Sequence, residues 1–111
     1  YYWFQDARAA SVLNTLNAFI STRSGGDPSQ IPAVNYSYNL DAGADIVGSR
    51  VPVQWSGAWC VTGMAGASAW LDACTSLFNA QSMRPNASSY FPDILQMMYS
   101  QLLNGMYTKP F

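Results

Sequence analysis

Cys60 and Cys74 are the only cysteines in a chain of 111 residues, and they sit inside the stretch WSGAWCVTGMAGASAWLDAC, which begins at Trp55. A cysteine pair can exchange electrons, hold a metal or cross-link a fold. Redox motifs place the two sulfurs two residues apart, and zinc takes four ligands drawn mostly from Cys and His. Here thirteen residues separate the pair and the chain has no histidine. The spacing therefore predicts a Cys60–Cys74 disulfide, with two reduced core thiols as the alternative. The bond carries a geometric condition. A helix beginning at Gly63 would put Cys74 eleven residues along it, about 16 Å from its start at about 1.5 Å per residue, whereas bridged Cα atoms lie about 4.4–6.8 Å apart. Unless the strand carrying Cys60 doubles back alongside the helix, a bonded pair predicts a helix starting near Ser68, with Ser68 as its cap and residues 62–67 as a loop. A helix already running from Gly63 would instead favour free, buried thiols.

Other candidate chemistry is sparse. The run GASAW around Ser68 begins like a nucleophile elbow, but Trp70 stands where the sharp turn needs glycine, and no histidine is present to act as base. Asp41 and Asp45 share one turn with Asn39. They lack the residue pattern of a calcium loop, and they read as turn-forming aspartates that bond their own backbone. The sequence thus predicts no catalytic residue, no metal site and no cofactor. A carboxylate-dependent hydrolase using Asp41, Asp45, Asp72 or Asp93 stands as the third functional reading.

Composition narrows the classes further. Half of the residues are hydrophobic but only 10% are charged, against about 25% in an ordinary domain. The five cations are scattered and make no basic stripe, so the footprint of a nucleic-acid binder is missing. A length of 111 residues fits a single compact domain, 1–111, able to bury its own core. The chain opens on Tyr1-Tyr2-Trp3-Phe4 without a methionine, which reads as a cleaved precursor or a trimmed chain. Two sequons, at Asn35 and Asn86, are candidate glycosylation sites. With the paired cysteines they point to a secreted, extracellular protein. Residues 51–71 carry no charge, but Pro52, Gln54, Gly57, Gly63 and Gly66 interrupt them, which argues against a membrane span.

The elements that must position these residues follow from periodicity. Asp6 can cap a helix over residues 7–23 whose apolar face is Val12, Leu13, Leu16, Phe19 and Ile20, with Gly25-Gly26 as its stop and residues 24–32 as a loop. Strict alternation over residues 33–40 predicts a strand; residues 50–55 predict a second, placed at an edge or bulge by Pro52, and 58–61 suggest a third. A helix then turns Trp70, Leu71, Cys74, Leu77 and Phe78 inward. A last helix begins with Pro92 in its first position and runs to Asn104-Gly105, with Ile94, Leu95, Met98 and Leu102 inward. The order predicts an α+β fold, a small antiparallel sheet of two to four strands covered by about three helices in a two-layer sandwich.

Sixteen aromatic residues in so short a chain exceed what a core needs, and exposed rings suit sugar stacking or a protein hot spot. The N-terminal cluster Tyr1, Tyr2, Trp3 and Phe4 is the candidate binding element, while Trp55, Trp59 and Trp70 read as core. The first functional reading is a small secreted, non-enzymatic protein of toxin, effector or surface-subunit type that binds a protein or glycan partner, with oligomerisation left open. The second is a membrane-active toxin using the methionine-rich last helix, disfavoured because that helix has no Lys or Arg on its polar face.

Overall fold

The computed structural model describes residues 4–33, 56–80 and 90–106. Among these residues the fold is 82% helical with no strand. The α+β sandwich is therefore corrected to a small helical domain. The proposed strands at 33–40 and 50–55 lie outside the described residues. The third, at 58–61, is helical: α2 spans Ser56–Cys60 and passes directly into a 3-10 helix, Val61–Ala65. Alternation over four residues is too short to exclude a helical turn, and tertiary contacts decide the matter here. The turn sets the Trp59 carbonyl where it accepts from Thr62 Oγ1 at 2.6 Å and from Trp70 Nε1 at 3.3 Å.

Helix α1, Ala7–Arg23, has the bounds that the sequence predicts. Asp6 caps it, its Oδ1 accepting from the backbone N–H of Arg8 at 2.8 Å and of Ala9 at 3.3 Å, two donors that no carbonyl within the helix could reach. At the other end Gly25, at φ 65°, allows the chain to fold back, and the Gly26 N–H donates to the Ser21 carbonyl at 2.8 Å. The inward face is turned from the expected one. Asn17, Ile20 and Ser24 are buried and Leu13 half-buried, while Val12 and Leu16 are exposed. Phe19 lies at the border, its ring 6.1 Å from that of Trp59 and under the Arg23 guanidinium at 5.3 Å.

Residues after α1 are not the expected loop. Asp27 Oδ1 accepts from the Ser29 N–H at 2.9 Å and opens a 3-10 helix, Pro28–Ala33, which delivers Ile31 fully buried to the core. Helix α3, Ser68–Asn79, buries Trp70, Cys74 and Phe78 at four-residue spacing, as expected from the sequence. Helix α4, Tyr90–Leu103, starts two residues earlier than predicted, so Pro92 occupies its third position, where the missing N–H would have had no partner inside the helix. Gly105, at φ 69°, ends it in a Schellman turn, with Met106 N–H donating to Gln101 and Gly105 N–H to Leu102.

Among the described residues the core is a cluster of Ile20, Ile31, Cys60, Trp70, Cys74, Phe78 and Leu103. Helix α1 packs chiefly on the 3-10 helix Val61–Ala65, and α4 packs on α3 and α2. Gly57 makes the last contact possible, since a Cβ there would clash with Cβ, Cγ and Cδ2 of Tyr99.

Candidate functional site

Cys60 and Cys74 are bonded, their Cα atoms 5.6 Å apart and both residues fully buried. The geometric condition drawn from the sequence is met: α3 starts at Ser68, not Gly63, which places Cys74 under two turns into the helix. Two details differ. Ser68 is the first helical residue rather than the cap, and the N-cap, Ala67, makes no side-chain hydrogen bond. Residues 61–65 are wound as a 3-10 helix instead of forming a loop, and the Ala67 N–H donates to the Gly63 carbonyl at 3.0 Å. This compact run, more than a loop could, returns the chain so that Cys74 passes Cys60.

A buried polar chain supports the cross-link. Asn17 Nδ2 donates to Thr62 Oγ1 at 3.1 Å, and that hydroxyl donates to the Trp59 carbonyl, which Trp70 Nε1 also reaches. Three elements are fixed by it: α1, the turn after α2, and α3. Its sequence signal is faint. Asn17 stands four residues after Leu13 and three before Ile20, on the face that turns inward, but periodicity alone assigns such a polar residue to solvent. Ser56, at the start of α2, is buried and its hydroxyl has no hydrogen-bond partner among the described residues.

The structure gives α4 two unlike faces. Inward, Leu103 is buried and Tyr99 meets Phe78 edge-on at 6.5 Å between ring centres. Partial burial of the Tyr99 phenol raises its pKa above the usual tyrosine value. Outward, Tyr90 is 71% exposed, Phe91 54%, Met97 42% and Met98 44%. Residues 90, 94, 97 and 101 follow one another at helical spacing, and 91 and 98 run beside them. Met98, expected in the core, thus lies on the outer surface, and Tyr99 takes its place. One acidic side chain, Asp93, is the sole ionisable carboxylate or cationic group of the helix.

Of the sequence-predicted binding cluster, Phe4 is exposed, while Tyr1, Tyr2 and Trp3 lie outside the described residues. The same holds for Asn35, Asn86, Asp41, Asp45 and Trp55. Trp70 is buried and Trp59 half-buried. Asp72 is exposed on α3. Among the described residues no group of three or more His, Cys, Asp or Glu side chains is placed to hold a metal. No helix among them is long and apolar enough to cross a membrane. Compared with protein-family models, with curated proteins and with solved structures, the chain matches none.

Proposed function

We propose that this chain is a small secreted, non-enzymatic binding protein, of toxin, effector or surface-subunit type, whose contact surface for a protein partner is the outer face of α4. The observation that carries the reading is the split of that helix, with Tyr99 and Leu103 turned to the core and Tyr90, Met97 and Met98 turned to solvent. Methionine is unbranched and polarizable and adapts to irregular partners. Tyrosine adds a large, stiff contact with a polar tip. A nearly uncharged helix suits an apolar protein groove better than anionic lipid, which is held by Lys and Arg. The buried disulfide and the two sequons support assembly in an oxidising compartment.

The test uses a photo-crosslinking side chain placed at position 97 of the full oxidised protein, with the same group at Thr15 on α1 as control, in the fluid surrounding the producing cells. Saturable crosslinking of one protein from position 97 alone, lost when Met98→Ser is added without a change in Tm, is the expected result. Leakage of dye from liposomes at the same protein concentration would transfer the reading to the membrane-active alternative. Equal, unsaturable crosslinking from both positions would remove α4 as the contact surface.

A further inference from the structure

The ends of α3 and α4 are joined by a pair of side-chain amides. Asn104 Nδ2 donates to Asn79 Oδ1 at 3.0 Å, and Asn79 Nδ2 donates back to Asn104 Oδ1 at 3.3 Å. Asn104 Nδ2 also donates to the Ser100 carbonyl at 2.8 Å. Both asparagines are exposed, so the clasp works in water without burial to protect it. The residue after Asn104 is glycine, and this is the only Asn-Gly step in the chain. Glycine has no side chain to shield its backbone nitrogen, which is the nucleophile that converts asparagine to an acid.

We infer that Asn104-Gly105 is a site of spontaneous deamidation that the Asn79 clasp holds shut. In the reaction the Gly105 backbone nitrogen loses its proton to water and attacks Asn104 Cγ. The N–Cγ bond forms, the Cγ–Nδ2 bond breaks, and ammonia leaves with a proton returned from water. Water then opens the cyclic imide at either carbonyl, giving an aspartyl or an isoaspartyl residue. No oxidant or reductant is required. Two features of the fold oppose the first step. The Gly105 N–H is engaged with the Leu102 carbonyl at 3.1 Å in the Schellman turn, and Asn104 Cγ is held by the amide's bonds to Asn79 and Ser100, away from the rotations that would bring it onto that nitrogen.

The product keeps at most one bond of the clasp. A carboxylate can still accept from Asn79 Nδ2 but has no N–H for Asn79 Oδ1 or the Ser100 carbonyl, and it places negative charge at the negative end of α4. The isoaspartyl form also lengthens the main chain by one atom inside the turn that caps the helix. Two of the three side-chain bonds at this corner are lost beside buried Leu103, so deamidation loosens α4 from α3. The inference stands independently of the binding surface proposed above.

The test is peptide mapping by mass spectrometry during incubation at mildly alkaline pH, for the oxidised wild type, Asn79→Ala, Asp6→Ala and the wild type unfolded in denaturant. Asn104 is expected to convert in the folded wild type at least about tenfold more slowly than in the unfolded chain, equivalent to an opening cost of about 1.4 kcal/mol. Asn79→Ala is expected to recover most of that difference. Asp6→Ala, which removes a helix cap elsewhere, reports general destabilisation and is expected to convert at the wild-type rate. Equal rates for Asn79→Ala and wild type would overturn the clasp, as would equal acceleration by Asp6→Ala. An unfolded chain in which Asn104 stays intact would overturn the site itself.

Discussion

Gly57 shows how much can rest on one missing methyl group. Its bare Cα lets α2 lie against the Tyr99 ring, and Gly57→Ala forces ring or helix to move. Overpacking of this kind costs about 1–3 kcal/mol, which urea unfolding would measure, and Gly57→Ala combined with Tyr99→Ala should cost less than the two single changes added together. Thr62 is the second such residue. Replacing it by Val keeps the volume but leaves Asn17 Nδ2 buried without its acceptor, at about 1–3 kcal/mol; adding Asn17→Leu should give a double variant more stable than Thr62→Val alone. The sequence singles out Cys60, Cys74 and Trp70, because cysteine and tryptophan report burial by their type. It hides Asn17, Asn79 and Asn104, whose type points to solvent and whose partners are up to 45 residues away.

Helix ends were better legible than helix faces. The start and stop of α1 follow from Asp6 and Gly25-Gly26, since capping is decided within a few residues. Which side of the helix turns inward depends on distant elements. Val12 and Leu16 are exposed in α1, and in α4 the inward pair is half-buried Tyr99 and buried Leu103, one position on from Met98 and Leu102. Both helices have more apolar residues than one face can hold, so periodicity alone offers two orientations. The cap of α1 also makes a pH prediction. Chiefly through its side-chain bond to Arg8, then through the Arg8 and Ala9 N–H groups, Asp6 is lowered from 3.8 to about 2. A depressed folded pKa gives stability that is present above about pH 4 and lost as pH falls through 2. Asp27 is shifted in the same direction by Ser29, so the contribution of Asp6 is read as the difference in acid unfolding between wild type and Asp6→Ala. That difference should shrink across this window to what an uncharged carboxyl still contributes as a cap.

For the whole molecule, the disulfide was legible and the architecture was not. Cross-linking followed from elimination and the helix start from geometry, because both depend on spacing along the chain. The sheet was inferred from short alternating runs, and the one among the described residues, 58–61, is wound by contacts with Thr62 and Trp70. The cross-link closes a loop of about fifteen residues, worth about 3 kcal/mol in the chain-entropy account, and Cys60→Ala/Cys74→Ala should lose at least that much in equilibrium unfolding, because it also empties space in the core. With both cysteines fully buried, the native protein should keep the bond in dithiothreitol until denaturant is added, as trapping with a thiol-alkylating reagent would show.

Burial of the two sulfurs also fixes an order of events in making the protein. Ile20, Ile31 and Leu103, which share the core with them, arrive from residues well before and well after the bridged loop. An oxidant or an isomerase can reach the thiols only while those three are still apart. Oxidation before closure is therefore the direct route, and a chain that closes first has to reopen before an enzyme can reach its thiols.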